Sequence, residues 1–298
     1  MNFSFRRVFG TLLLSLVLVF CCSIAFAGHH GEKSESKKGI LLVAFGSSMT
    51  ETQGSFTNIE TLVKKAFPKV PVRWAWSSAI IREKVAKEQG KIIASPAEAL
   101  AQMMAEGFTD VAVQSLHTIP GEEYEGIKET AESFEGMPKG ISHISIGKPL
   151  LYSNDDMKVT TAALLKAAAT ERKADEALVL MGHGTHHYGN IYYPALQYFM
   201  DLQDGKTFVG TVEGAPSLDD VKARLEKMGA KKVWLMPFMS VAGDHARNDM
   251  AGPEADSWKS ELTKDGYDCG VILKGTAEFD AIANIWVDHL KEAWKALD

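Results

Sequence analysis

The sequence is poor in the features that mark special-purpose chains. It has 3 cysteines in 298 residues, too few for a disulfide framework. It has no basic excess: 32 Lys plus Arg stand against 38 Asp plus Glu, a formal net charge of −6. A nucleic-acid binder normally carries a basic surplus or stripe, so no nucleic-acid partner is expected. Its 25 glycines and 10 prolines exclude a collagen-like chain. No third glycine follows Gly182-x-Gly184 at dinucleotide spacing, and neither a G-x-S-x-G elbow nor a P-loop lysine motif occurs. What remains is ordinary globular stock, 46% hydrophobic and 23% charged, long enough for one large or two medium domains.

Residues 1–27 read as a secretory signal. Arg6 and Arg7 form a positive start, 8–24 is mostly apolar, and Ala25-Phe26-Ala27 is a small-residue cleavage site. Cleavage leaves 271 residues, a net charge of −8, Cys269 as the remaining cysteine and no stable membrane anchor. The expected location is therefore the periplasm. Residues 28–38 are polar and without apolar period, the pattern of a flexible tail. A new terminus at Gly28-His29-His30 would present a free amine and a third-position histidine, a chelate for Cu(II) or Ni(II).

From residue 39 the chain alternates strand and helix signals. Apolar runs at 40–45, 70–76, 111–116 and 141–146 read as strands, and 58–67 carries a helical stripe. Ser95-Pro96-Ala97-Glu98 is a capping box with proline at the first helical position. The order implies βαβ units and a mostly parallel sheet. The pattern then repeats at 176–181, 206–212, 232–236 and 270–273, with a helix running from a Ser217 cap to Gly229. Gly46 and Gly182 lie 136 positions apart, as do Trp76 and Val212. Ser95 and Ser217 lie 122 apart, as do Gly107 and Gly229, and Gly121 and Gly243. An internal duplication accounts for this, with 14 extra residues between 77 and 95 that form an added helix. It predicts an α/β protein of two similar lobes, 39–152 and 153–298, facing each other across a cleft.

Ligands of parallel α/β sheets bind beyond the carboxyl ends of the strands. In the second half three metal-capable side chains fall there: His183 in Met181-Gly182-His183-Gly184-Thr185, Glu213 after Val212, and His245 in Gly243-Asp244-His245. The matching first-half positions are Ser47, Ser77 and Glu123, so only the second half offers two imidazoles and a carboxylate. That set suits a divalent first-row ion and leaves coordination positions open. His117 ends the third strand and should face the cleft from the opposite lobe, as a substrate contact or proton carrier. His186 and His187 read as exposed loop residues, and Trp74 and Trp76 as core.

Strand-then-Gly-His-Gly-Thr, Val212-Glu213-Gly214, His245, Ala44-Phe45-Gly46-Ser47 and Gln114-Ser115-Leu116-His117 together resemble the class II tetrapyrrole chelatases. The nearest likeness is to the anaerobic sirohydrochlorin cobaltochelatases of the CbiK type. The likeness runs from residue 39 to the C-terminus, and ferrochelatase is a more distant relative. It implies two Rossmann-like lobes with the active site between them and insertion of Co(II) into sirohydrochlorin, a step of cobalamin-type tetrapyrrole biosynthesis. It also implies that His183, Glu213 and His245 bind the metal and act in catalysis. Fe(II) or Ni(II) are alternative metals. Ser47, His117 and Glu123 are the expected substrate contacts.

Two pyrrole protons must leave as the metal enters. His183 or His245 could accept them after releasing the ion, or His117 or Glu123 from the other side. Metal loading should weaken below about pH 6, where free imidazoles protonate. Relatives of this kind work in the cytoplasm, so an export signal is a departure. It raises a second reading: a periplasmic binding or transport protein for metal or haem, with His117, His143 or His289 as haem ligands and no turnover. A zinc-type hydrolase is a third reading, disfavoured because no further acid stands beside the triad. The acidic mature chain will not attract a polycarboxylate globally, so Arg82, Lys84 and Lys87 of the first-half insert are candidate local contacts. The expected partner is a tetrapyrrole, and a homo-oligomer is left open.

Overall fold

The computed structural model describes residues 36–298. The signal segment at 1–27 and the Gly28-His29-His30 chelate lie outside the described residues. Residues 37–298 form a single compact unit built on two four-stranded parallel sheets.

The first sheet uses β1 (Lys38–Ala44), β2 (Val72–Trp76), β3 (Asp110–Ser115) and β4 (His143–Gly147) in the order β2-β1-β3-β4. The second uses β5 (Ala177–Gly182), β6 (Thr207–Thr211), β7 (Lys232–Pro237) and β8 (Asp268–Val271) in the order β6-β5-β7-β8. Central strands β1 and β5 are nearly continuous apolar runs, and β3, with Val111, Ala112 and Val113 at its middle, is buried like them along its length. Sheets covered on both faces require this. The helices are α1 (Gln53–Ala66), α2 (Ala79–Gln89), α3 (Pro96–Ala105), α4 (Glu122–Phe134), α5 (Asn154–Ala168), α6 (Tyr192–Gln203), α7 (Leu218–Met228), α8 (Trp258–Lys264) and α9 (Asp280–Lys295).

Local chemistry explains several of their ends. Ser95 and Glu98 form the expected capping box over Pro96. Ser217 and Asp220 form another, and Gly229 ends α7 in the left-handed conformation that suits glycine. The first-half insert is indeed a helix: Ser78 caps α2 and Gly90 closes it.

Strand order confirms the duplication, but the ladders shift its register. In the first sheet Ala44 pairs with Trp76, and Val43 with Ser115. In the second, Gly182 pairs with Thr211, and Met181 with Pro237. Structurally, then, Gly46 corresponds to Gly184 rather than to Gly182. Both turn the chain just past the strand with positive φ, +104° and +81°, whereas Gly182 is a ladder residue. On this register Phe45 stands opposite His183 and Ser78 opposite Glu213, while Glu123 remains opposite His245. Sequence spacing put Gly46 on Gly182 because both are glycines after an apolar run.

Three apolar layers hold the molecule. Leu41, Val43, Leu100, Met103, Phe108 and Ile127 fill the outer side of the first sheet, under α3 and α4. Val179, Met181, Leu225, Trp258 and Leu262 fill the outer side of the second, under α7 and α8. The middle layer is common to both sheets. It joins Ile40, Leu42 and Ala112 to Leu178, Leu180 and Met236 through residues of α1, α5, α6 and α9. The chain returns to its start to complete it: α9 packs on α1, β3 and β4. Trp286 of α9 is fully buried, and its indole N–H donates to the His117 carbonyl (3.2 Å).

A shared middle layer predicts one cooperative unfolding transition. Trp286→Ala should lower stability by about 3–5 kcal/mol. The exposed Leu202→Ala should stay within about 0.5 kcal/mol. Urea denaturation followed by circular dichroism checks both, and two separated transitions would contradict the shared core.

Candidate metal-handling cleft

The loops beyond the strand ends of the two sheets touch one another. Gly189, in the loop after β5, lies so close to the Pro120 carbonyl that a Cβ there would overlap it. Ser47 Oγ, after β1, is 3.5 Å from where a Cβ on Gly243, after β7, would stand. Since β5 corresponds to β1 and β7 to β3, the two contacts are equivalent under the duplication. The halves therefore meet reciprocally, as the subunits of a two-fold dimer do, with the strand-end loops drawn together.

Two of the expected metal ligands meet there. The rings of His183 and His245 are 4.7 Å apart, edge to face. Each has its Nδ1 committed to a protein acceptor. His183 Nδ1–H donates to the Gly184 carbonyl (2.8 Å). His245 Nδ1–H donates to the Asp249 carboxylate (2.5 Å). Asp249 lies four residues on, in the short π-helical turn Ala246–Met250. A neutral imidazole carries one proton. With Nδ1 protonated in both, both Nε2 lone pairs are free. Fixing the tautomer in this way, with a carboxylate raising ligand basicity, is the usual second shell of a metal-binding histidine.

The backbone around His183 is built to hold it. The His183 carbonyl accepts from the Glu213 N–H (2.7 Å), and a Cβ on Gly184 would collide with the Glu213 backbone. Gly184 is thus required twice, for its positive φ and for this close approach. Asn190 stitches the same loops, accepting from Thr185 N–H (3.1 Å) and donating to the Ala215 carbonyl (2.7 Å). Beneath the turn, Tyr193 packs where Gly182 has no side chain, its oxygen against the backbone N–H groups of Gly184 and His183. Burial pushes its phenol up to about 12.

Glu213 is joined to this turn through its backbone, while its side chain is exposed. Among the described residues no three His, Cys, Asp or Glu side chains are close enough together to hold an ion. The structure therefore brings the two imidazoles together and leaves the carboxylate beside them. From the facing half come Ser47, which is buried, and Glu123, half-buried in the first turn of α4. His117 is half-buried between two hydroxyls, with Ser115 Oγ 3.0 Å from Nδ1 and Ser77 Oγ 3.4 Å from Nε2.

The remaining candidates sit elsewhere. His186 is exposed, and His187 accepts from the Gly189 N–H (3.1 Å). His143 starts β4 in the open. His289 is buried with both ring nitrogens engaged, Nε2 with Asp156 (3.0 Å) and Nδ1 with the Lys148 carbonyl (3.2 Å). Lys84 and Lys87 are exposed on α2. Arg82, on the same helix, lies 3.9 Å from Glu98 and has a buried Nε without a hydrogen-bond partner among the described residues. Asp249, Asn190 and Tyr193 were not legible as site residues, while Ser77 and Ser115 stood in the sequence only as a position matched to Glu213 and as part of the His117 motif. Of the first three, only Asp249 carried a signal, its four-residue spacing from His245.

Fold and cleft together define a two-lobed α/β protein of the chelatase kind. The model of the cobalt chelatase (CbiK) family matches residues 38–295, and the chain belongs to that family. Sirohydrochlorin cobaltochelatase CbiKC of Nitratidesulfovibrio vulgaris is 43% identical over 263 residues, covering 88% of this chain and 93% of the relative. The sirohydrochlorin cobaltochelatase of Salmonella typhimurium is 35% identical over 258 residues, 86% of this chain and 96% of the relative. Among solved structures, SirB from Bacillus subtilis with Fe3+ superposes with a TM-score of 0.56 at 16% identity. It spans 86% of this chain and 95% of that one. CbiX, the terminal enzyme of siroheme biosynthesis in denitrifying bacteria, gives 0.54 at 15%, over 86% and 99%. These two likenesses concern the fold.

Burial holds the His117 imidazole down at about 4, below its ordinary 6.5. The unfolded chain therefore binds this proton more readily than the folded one. The contribution is absent above about pH 6.5, and stability falls as pH drops from there toward 4. His117→Gln should flatten that part of the stability–pH curve, measured by urea titration at pH 7, 6, 5 and 4.5. An unchanged slope would show that His117 is not held neutral.

Proposed function

We propose that this chelatase inserts Co(II) into sirohydrochlorin in the cleft between its lobes. The supporting observation is the pair of adjacent imidazoles with both Nδ1 atoms committed, in a chain of the cobalt chelatase family. The two Nε2 lone pairs hold the incoming ion. Glu213, joined to the His183 carbonyl by its own N–H, supplies the third ligand through its exposed carboxylate. Three protein ligands leave positions open toward the tetrapyrrole. Pyrrole nitrogens then replace imidazoles one at a time. Each lone pair released becomes a base beside the N–H it must deprotonate. Ser47 and Glu123 contact the macrocycle from the facing lobe. Export through residues 1–27 places the protein in the periplasm, free of a membrane anchor after cleavage. Among the described residues no helix is long and apolar enough to cross a membrane.

The test is an insertion assay on protein beginning at residue 28, following loss of the free-base sirohydrochlorin spectrum on adding Co(II). Many turnovers per protein are expected, with His183→Ala and His245→Ala reduced to background. Asp249→Asn, which removes the charge behind His245, should weaken Co(II) loading about 10- to 100-fold. Full activity in both histidine variants would end the ligand assignment. Stoichiometric capture without turnover would favour a carrier.

A further inference from the structure

His117 is chemically unlike the other two cleft histidines, and its hydrogen bonds run in one direction. The chain starts at a group whose role is fixed: the backbone N–H of His117 donates to Ser115 Oγ (3.3 Å). Ser115 is fully buried. A buried hydroxyl spends its own hydrogen on an acceptor where one is offered, and His117 Nδ1 stands 3.0 Å away. Nδ1 is then the unprotonated nitrogen. A neutral imidazole with a bare Nδ1 carries its proton on Nε2, and burial keeps this ring neutral, at about 4. Nε2–H is thus directed toward Ser77 Oγ (3.4 Å). Ser77, half-buried just past the end of β2, then has its own hydroxyl hydrogen to offer a ligand.

We propose that Ser77 and His117 form an uncharged donor pair that binds a carboxylate of the tetrapyrrole, and that Ser115 is the positioning residue that sets the tautomer. His117 is accordingly neither a metal ligand nor the proton acceptor. This rests on the chelatase reading for the identity of the ligand, not for the tautomer. The contrast is internal: His183 and His245 have Nδ1 protonated and Nε2 bare, whereas His117 has Nδ1 bare and Nε2 protonated. The loop bearing His117 leads to Pro120, which the loop bearing His183 touches at Gly189. Donor and lone-pair histidines thus come from facing loops, one suited to the substrate's rim and two to its metal. An uncharged pair is suited to this task because it stays a donor throughout the pH range in which metal ligands must be unprotonated.

Two measurements test it. Two-bond 1H–15N correlation on 15N-histidine-labelled, metal-free protein should show His117 as the Nε2–H tautomer without titration between pH 5.5 and 8. In Ser115→Ala the signal should move to the Nδ1–H or a mixed form. An Nδ1–H tautomer in the wild type, or titration near 6.5, overturns the proposal whatever the protein's activity. The second measurement is sirohydrochlorin affinity by fluorescence quenching, which needs no turnover. His117→Ala and Ser77→Ala should each weaken it about 10- to 100-fold and leave Co(II) affinity unchanged. His117→Gln keeps an N–H donor near Nε2 but cannot act as a base, so it should recover most of the affinity that His117→Ala loses. A fall of 100-fold or more in kcat for His117→Gln, with affinity kept, would identify His117 as the base and overturn the assignment. If the wild type binds sirohydrochlorin without inserting metal, it is the chelatase reading that fails.

Discussion

The structure depends on one apolar layer that two sheets share. Each parallel sheet has two apolar faces and needs helices on both. The outer faces are covered locally, by α3 and α4 on one sheet and α7 and α8 on the other. The inner faces are covered by α1, α5, α6 and α9, whose side chains belong to a single continuous core. Neither sheet can be dried without the other. This locks their relative placement and so brings the strand-end loops of one half against those of the other. The closing helix α9 couples the end of the chain to the first lobe's part of the cleft, through Trp286 and the His117 carbonyl.

On that frame the chemistry of three histidines is decided by what their second nitrogen touches. A carbonyl behind His183 and a carboxylate behind His245 turn lone pairs outward. A hydroxyl behind His117 turns an N–H toward Ser77. On the proposed function, the same side chain serves as a metal ligand in one half and as a hydrogen-bond donor in the other. Duplication supplies equivalent scaffolds at the strand ends, and divergence of a few positions beside them assigns the two halves different tasks.

Much of this was legible in the sequence. Apolar runs, capping boxes at Ser95 and Ser217, and glycine spacing located the strands, the inserted α2 and the duplication. His183 and His245 were readable, together with Glu213, because all three follow strands of one parallel sheet. The register was less legible: Gly46 matches Gly184 through its backbone angle, and a sequence shows glycine, not φ. The residues that orient the site were mostly silent. Tyr193 acts through the space that Gly182 leaves, Asn190 joins loops 25 residues apart, and Ser115 looks like any buried strand residue. Their roles come from direction of approach, which one-dimensional spacing does not carry.

In the proposed function His183 and His245 meet the metal through Nε2 while keeping Nδ1–H. Proton NMR of the Co(II)-loaded protein addresses it directly. An imidazole bound to paramagnetic Co(II) has its remaining ring N–H shifted far downfield, and that proton exchanges with solvent. The account predicts two such exchangeable resonances, assignable to His183 and His245 by their loss in the single variants. None, or a resonance lost instead in His117→Gln, would contradict it.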